Sequence, residues 1–461
     1  MKTRRFSIKT SIAAPAHEVF DWHVRPGAFE RLTPPWERVE VMERPVRVGK
    51  GSRMVLRVRH GPFRSRWVAV IRHVETGRRF QDEQVKGPFH RWIHTHAFEP
   101  EGESSCGLED TIDYALPLGP LGNLLAASHT RRRLHRLFTY RHAVTAADLE
   151  RHSGTWVPHP LHVAVSGSTG LVGSSFADFM TSGGHRLSRL VRREPRPGRD
   201  EIFWDPSTGT MDRAGLEGLD AVVHLAGENI ASSRWTDSKQ SRIRESRVAG
   251  TRLLCETLAA LRSPPRVLVS ASAIGYYGDR GSEILDETSP PGKGFLAEVG
   301  KAWEEATTPA RRAGIRVVNL RIGVVLGARG GALKRMLFPF RLGLGGRLGN
   351  GRQRMSWIAL DDLLGVIHFA LVTATLTGPV NAVTPSSVTN GEFTRVLGRI
   401  LGRPTPFPVP APVLRMLLGE MAEELLLSSA RVRPLRLEEA RFRFFHPELE
   451  GALRFELGRG S

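Results

Sequence analysis

The first chemistry legible in the chain is His162-Val-Ala-Val-Ser-Gly167-Ser168-Thr169-Gly170-Leu171-Val172-Gly173. Val163, Ala164 and Val165 form a short apolar run without polar alternation, the pattern of a strand buried on both faces. Gly167 permits a tight turn, Gly170 lets backbone N–H groups approach a pyrophosphate, and Gly173 lets the following helix pack close to the strand. The helix that opens there points its positive end at the phosphates. A second strand, Leu187–Val191, ends in Arg192-Arg193. An acidic residue at that place would hold the ribose hydroxyls, whereas two guanidinium groups suit a 2′-phosphate. NADP(H) is therefore expected over NAD(H). The competing reading is two solvated arginines in an Arg-rich chain.

Further candidates follow at strand ends. The run Asp220–Asn229 reads as a strand closing in Leu225, Ala226 and Gly227, small residues that let a cofactor lie close to the backbone, with Glu228 next. Arg247, on a long helix, is expected to face the same crevice, and Arg321 ends another strand at the ligand edge. Ser272, just past a strand at Arg266–Ser270, can orient a carbonyl or hydroxyl oxygen, or simply pack tightly. Tyr276 and Tyr277 follow it, with Tyr277 the candidate proton donor and loop packing the alternative. Asp361 and Asp362 read as a helix cap, and Gly330-Gly331 with Leu342–Gly351 as a mobile flap with Arg347 and Arg352 beside the substrate or, alternatively, as a structural series of glycine-rich turns. His94 and His96, with His90 nearby, share a strand face. With no Cys or carboxylate in a matching sequence arrangement, no metal is expected.

These groups sit in a chain of 461 residues, too long for one compact core. Apolar residues are 40% and charged residues 25%, as in ordinary globular protein. No stretch has the apolar length of a membrane span or a signal peptide. Cys106 and Cys255 fall in different segments, so no disulfide framework is expected and a cytoplasmic setting fits. The net charge of +19 comes mainly from Arg scattered along the chain, densest at Arg131-Arg132-Arg133 with Arg136 and Arg141. General Arg bias explains this as well as a polyanion does, and no nucleic-acid partner is expected.

The expected architecture is α/β with several parts. Residues 1–150 show one early helix from Ala14 to about Phe29, alternating strands and a closing amphipathic helix over about 121–142. That is an α+β helix grip around a cavity. Residues 151–160 read as a linker. Residues 161–390 alternate strands with helices, as a doubly wound parallel (Rossmann) sheet does, with helices at Asp237–Leu261 and Phe295–Ala313. Residues 391–461 form a small, mostly helical C-terminal domain.

Residues 1–145 resemble the START-like (SRPBCC) superfamily of polyketide cyclase/dehydrase-type domains. The phrases carrying this are Ala14-Pro-Ala-His-Glu-Val-Phe20, His94-Thr-His-Ala-Phe98 and Leu116-Pro-Leu-Gly-Pro-Leu-Gly122. The resemblance implies an apolar ligand between sheet and final helix. Residues 160–457 resemble an atypical short-chain dehydrogenase/reductase, specifically the epimerase-like family with its small C-terminal domain. The glycine spacing, His224-Leu-Ala-Gly-Glu-Asn-Ile230 and Ser270-Ala-Ser-Ala-Ile-Gly-Tyr-Tyr-Gly278 carry it. Such enzymes pair a Tyr with a Lys four residues on, but Phe295–Glu305 offers no such pair. Two functions stay open. One is an NADP(H)-dependent oxidoreductase or epimerase-like protein acting on an unknown carbonyl or hydroxyl substrate. The other is a non-catalytic NADP(H)-binding regulatory protein, which the resemblance links to cell division and which the missing dyad would suit.

Overall fold

The computed structural model describes residues 3–45, 48–60, 63–117, 119–153 and 160–460. By internal contacts the chain divides into two units. One comprises Met1–Trp156 with Asp178–Gly184 and Phe455–Ser461; the other comprises Val157–Ala177 with His185–Arg454.

In the first unit β1 (Arg4–Ile12) precedes two helices, α1 (Ala16–Val24) and α2 (Ala28–Leu32). A meander follows: β2 (Arg38–Glu43), β3 (Arg53–His60), β4 (Phe63–Glu75), β5 (Arg79–Lys86), β6 (Arg91–Pro100) and β7 (Cys106–Ala115). The strands make one antiparallel sheet in the order β1-β7-β6-β5-β4-β3-β2, and α3 (Gly119–Ser153) closes the unit. Along β6 every second residue is buried, Trp92, His94, His96 and Phe98, so one pleat face meets the core. Phe20 of α1 meets Phe80 and Phe98 edge-on there, at ring-centre distances of 6.1 and 5.5 Å. This is the expected helix grip.

Local differences from the sequence reading have plain causes. The early helix breaks into α1 and α2 at Gly27, whose φ of +90° is not helical. The strand β5 was not legible because it buries Phe80 alone, and β2 was missed because its alternation is confined to Val39 and Val41, neither of them buried. The closing helix runs on to Ser153, burying Thr145, Asp148 and Leu149 beyond the expected end. Residues 151–153 of the expected linker thus belong to α3, and 154–159 lie outside the described residues. The Arg cluster on α3 is largely engaged within the unit. Arg133 grips Glu37 with two nitrogens, Arg136 lies over Trp36 at 5.4 Å and Arg141 over Phe138 at 4.9 Å.

The second unit begins with β8 (His162–Ser166), α4 (Leu171–Ser182), β9 (Arg186–Val191), β10 (Glu201–Asp205), β11 (Thr210–Met211) and β12 (Ala221–His224). It continues with α5 (Asp237–Ala259), β13 (Val267–Ala273) and α6 (Phe295–Glu305), then strands at Arg316–Ile322 and Gly378–Ala382. The eight-stranded sheet has the order β11-β10-β9-β8-β12-β13 followed by those last two strands. All its pairs are parallel except β10 with β11. Strand order reverses between β8 and β12, and in such sheets ligands lie at the carboxyl ends beside that reversal. The helix expected over Phe295–Ala313 is two, because α6 ends at Glu305 and a five-residue turn of helix restarts at Thr308.

The C-terminal region contributes a helix at Asn390–Leu401, opened by a reciprocal Thr389–Glu392 capping box, and further helices at Ala411–Leu418 and Leu449–Leu457. The strand Arg431–Val432 pairs with Ile284–Leu285, so this region up to Arg454 packs as part of the second unit. Among the described residues no helix is long and apolar enough to cross a membrane.

Candidate functional site

At the end of β8 the three glycines have distinct physical jobs. Gly167 adopts φ +66°, and an added Cβ would lie 2.8 Å from the Leu225 carbonyl and 2.9 Å from the Ala226 nitrogen. Gly173 closes on the same turn, where a Cβ would stand 2.4 Å from the Gly167 oxygen. Gly170 is exposed, and a Cβ there would meet only that oxygen, at 3.3 Å. Two glycines therefore serve close packing, and the third leaves the outer face of the turn open. Thr169 is exposed beside it, Ser168 is buried, and Leu171 and Val172 begin α4, whose first N–H groups lack helical partners as at any helix start. The Arg189 guanidinium of β9 donates to the Ser168 carbonyl at 3.4 Å, bracing the turn from below.

The facing corner at Leu225 and Ala226 is pinned by Ser166, whose Oγ accepts both their N–H groups at 3.0 and 3.2 Å. With its lone pairs so used, the Ser166 hydroxyl donates to His224 Nδ1 at 2.7 Å. His224 then carries its proton on Nε2 and gives it to Thr251 Oγ1 at 3.0 Å, which also accepts the Trp303 indole N–H at 2.9 Å. Burial pushes the His224 pKa down to about 4, so the ring is neutral near pH 7. This relay was not legible in the sequence.

Beyond the corner, Arg247 stands against Gly227, with its guanidinium 5.0 Å over the Trp303 ring. Arg247 donates to the carbonyls of Ile243 and Glu228. Among the described residues no carboxylate lies within ion-pair distance of it, and burial, only partly offset by Glu228, lowers its pKa to about 10. Glu228 accepts from Lys239, which is only 2% exposed and also donates to Ser232. That ion pair holds the Glu228 carboxyl below its ordinary range.

At the end of β9 the two arginines part company. Arg193 is bound bidentately by Glu201. Arg192 is exposed and makes no hydrogen bond or ion pair among the described residues. Val191 precedes them as the last residue of the strand.

The carboxyl end of β13 holds a different assembly. Ser272, 3% exposed, donates its hydroxyl to Glu304 Oε1 at 2.8 Å. Glu304 is gripped bidentately by Arg321, with both contacts at 2.8 Å. Burial opposes the Arg321 charge, but the Glu304 pair outweighs it and raises the pKa above the ordinary Arg value. A third Arg321 nitrogen donates to the Tyr277 hydroxyl at 2.9 Å, and the guanidinium lies 3.6 Å from the Tyr276 ring centre. Tyr277 is fully buried; its hydroxyl stands 2.8 Å from both the Asp286 carbonyl and Asn381 Oδ1. Burial pushes its pKa up to about 12. Tyr276 is half-buried.

The missing Tyr–Lys pair has a structural counterpart. The position four beyond Leu296 is Gly300, where a Cβ would lie 3.2 Å from the Tyr276 Cα. The Tyr276–Tyr277 turn thus packs on α6 at a point where a long side chain has no room. Glu304, the hub of the β13 assembly, escaped sequence reasoning because nothing marks a helical acid as the partner of an Arg on a distant strand.

Other expected residues moved in role. Asp362 does not cap its helix, whose N-cap is Ala359; it is fully buried and accepts the N–H groups of Phe445 and His446 at 2.8 and 2.9 Å. The Leu342–Gly351 segment is tied down, through Gly349 N–H to the Val409 carbonyl, Val409 N–H to the Arg347 carbonyl and Leu348 N–H to Asn390. Arg347 and Arg352 are exposed on it. In the first unit His94 and His96 are buried beside Asp110 and near Asp82, while His90 is exposed. The carboxylates absent from the local sequence come from neighbouring strands.

Comparison with known proteins agrees with this layout. Residues 163–381 match the NAD dependent epimerase/dehydratase family, 12–138 match polyketide cyclase / dehydrase and lipid transport, and 409–456 match a domain of unknown function, DUF1731. An epimerase family protein of Mycobacterium bovis is 43% identical over 297 residues, covering 64% of this chain and 98% of that protein. The human epimerase family protein SDR39U1 is 38% identical over 299 residues, covering 64% of this chain and 99% of it. The solved structure of a nucleoside-diphosphate sugar epimerase from Corynebacterium glutamicum is similar over 98% of this chain and 90% of its own, at 35% identity and a TM-score of 0.79. Human SDR39U1, solved with NADPH, gives a TM-score of 0.59 at 35% identity over 64% of this chain and 99% of its own. The chain therefore belongs to the SDR39U1-type epimerase family, carrying that family's DUF1731 region behind its dinucleotide fold and a polyketide cyclase-type domain in front.

Proposed function

We propose that the second unit binds NADP(H) and acts as an epimerase-like oxidoreductase on a small substrate bearing a carbonyl or hydroxyl group. The observation that carries the reading is the open Gly167–Gly173 turn with an unengaged Arg192 at the end of the adjoining strand. Human SDR39U1 solved with NADPH supports the choice of cofactor. In this reading Gly167, Ser168, Thr169, Gly170, Leu171, Val172 and Gly173 cradle the pyrophosphate on the start of α4. Arg192 meets the 2′-phosphate while Arg193, held by Glu201, shapes the strand end beside Val191. Leu225, Ala226, Gly227 and Glu228 line the corner, and the unpaired charge of Arg247 offers a second anion contact.

Bound nicotinamide supplies reversible hydride transfer at the substrate carbon. The chain supplies orientation and proton handling at the adjoining oxygen. Ser272, its hydroxyl directed by Glu304, orients that oxygen, and Arg321 holds Glu304 in place. Tyr276, half-buried over Arg321, is the proton donor in this reading, because the Tyr277 hydroxyl is enclosed and committed to its neighbours. The first unit is proposed to hold an apolar ligand, which the polyketide cyclase / dehydrase and lipid transport match supports.

The test uses the full chain. NADPH and NADH are titrated by calorimetry, and a panel of carbonyl substrates is followed through the absorbance of reduced nicotinamide. Arg192→Ala should weaken NADPH at least tenfold more than NADH, and Arg193→Ala much less. Turnover abolished by Ser272→Ala supports the oxidoreductase. Tight NADPH binding without turnover on any substrate would replace it with the regulatory alternative, which the absent Tyr–Lys pair favours.

A further inference from the structure

We propose that the interior of the first unit contains a divalent transition-metal site formed by Asp82, His94 and His96. The strands bring these residues together by register. Asp82 on β5 stands opposite His94 on β6, and His96 stands opposite Asp110 on β7. His94 and His96, two residues apart, share the inward pleat face. One ligand atom from each of Asp82, His94 and His96 lies within 4.8 Å of the others.

Within that set the distance from Asp82 Oδ1 to His94 Nδ1 is 3.4 Å. Zinc bonds of about 2.0–2.1 Å place tetrahedral ligand atoms about 3.3–3.4 Å apart, so this pair already spans one edge of a zinc tetrahedron. The His96 ligand atom lies within 4.8 Å of both, so completing the face requires a movement of at most about 1.4 Å.

The surroundings match a metal ligand set. His94 Nε2 lies 2.7 Å from Asp110 Oδ1, and donating its proton there turns the lone pair of Nδ1 toward the Asp82 carboxylate. A lone pair facing a carboxylate oxygen requires a cation between them, a proton or a metal ion. Asp110 in turn is fixed by His142 Nε2 at 2.7 Å, and His142 Nδ1 stands 2.8 Å from Thr10 Oγ1. A carboxylate behind a ligating imidazole is the usual device that orients the ring. The Nδ1 of His96, a residue only 7% exposed, stands 2.7 Å from Asp110 Oδ1, so the same carboxylate stands behind both imidazoles. Phe80 stacks on His96 at 4.1 Å and Phe138 meets His94 edge-on at 5.2 Å, giving the polar cluster an apolar wall. Three protein ligands leave a fourth position for water or an oxygen atom of an enclosed ligand.

Full-length protein stripped with a chelator would be titrated with Zn²⁺ by calorimetry and with Co²⁺ by visible absorption. The expected result is one tight equivalent, a four-coordinate Co²⁺ spectrum and a melting temperature that rises with metal. Asp82→Asn and His96→Gln should each weaken binding by about 100-fold or more, given that second-shell changes alone cost 10–100-fold. Far-UV circular dichroism of each metal-free variant should match the metal-free wild type. A variant that fails to fold is replaced by Asp82→Ser or His96→Asn. No tight equivalent in the wild type, or undiminished binding in the folded variants, would overturn the proposal. The cluster would then be a closed hydrogen-bonded network around Asp110.

Discussion

The Glu304–Arg321 pair offers the sharpest test of how the β13 assembly is built. Arg321 is 3% exposed, and its guanidinium touches Glu304 on one side and the tyrosine rings on the other. Replacing Glu304 by Gln keeps the shape and leaves Ser272 an acceptor, but strands a buried cation. Breaking a buried pair from one side costs about 3–5 kcal/mol, roughly a 10²–10⁴-fold fall in the folded-to-unfolded ratio. Replacing both partners, Glu304→Leu with Arg321→Met, removes the stranded charge and should recover most of that loss, since apolar replacement of a buried pair is often neutral. It also leaves Ser272 without its acceptor and Tyr277 without its Arg321 donor, for which about 2 kcal/mol remain unrecovered. Hydrogen exchange at the β13 amides reads the stability of this unit without averaging over the other. A cycle of Glu304→Leu, Arg321→Met and the double variant in which the single costs are each below about 1 kcal/mol and simply add would refute the account, because no interaction energy would then join the two residues.

Three further outcomes follow from the geometry. Gly173→Ala places a methyl 2.4 Å from a backbone oxygen that cannot yield, so α4 must shift and NADPH affinity should fall at least tenfold by calorimetry, more than in the open-sided Gly170→Ala. His224 has a folded pKa of about 4 against an ordinary 6.5, so the unfolded chain takes up a proton that the folded state refuses. Its contribution is complete above about pH 6.5 and declines as the pH falls toward 4, by at most about 3 kcal/mol. Urea midpoints across that window should flatten in His224→Gln, and an unchanged slope would count against a neutral buried ring. Tyr277→Phe should cost about 1–3 kcal/mol from the buried partners it abandons, while Tyr276→Phe should lower turnover with little loss of stability; the reverse pattern would return the proton to Tyr277.

The frame of this molecule was legible where burial is two-sided or strictly alternating. Val163–Val165 and Val267–Val269 are buried on both faces, and the β6 residues alternate; each leaves a periodic trace. The strand β5 leaves little trace because its side chains are mostly polar or half-exposed, whereas β2 and β10 do alternate, at Val39 and Val41 and at Ile202 and Trp204, but over runs of only six and five residues. The glycine turn was legible for a related reason. Its constraint is a backbone conformation and a close approach, and both exclude a Cβ, so the sequence must show glycine.

Side-chain networks obey a different logic. Ser166 with His224 and Thr251, Ser272 with Glu304 and Arg321, and Asp82 with His94 each join residues brought together only by strand order and helix docking. Each member satisfies a donor or acceptor that burial would otherwise leave unpaired, so its identity depends on a partner 12 to 58 positions away. A local window sees the histidine without the carboxylate, and from that view His94 and His96 are ordinary strand residues. The register of β5, β6 and β7 supplies what was missing: it sets an acid opposite each histidine, converting two unremarkable side chains into a cluster with the composition of a ligand set.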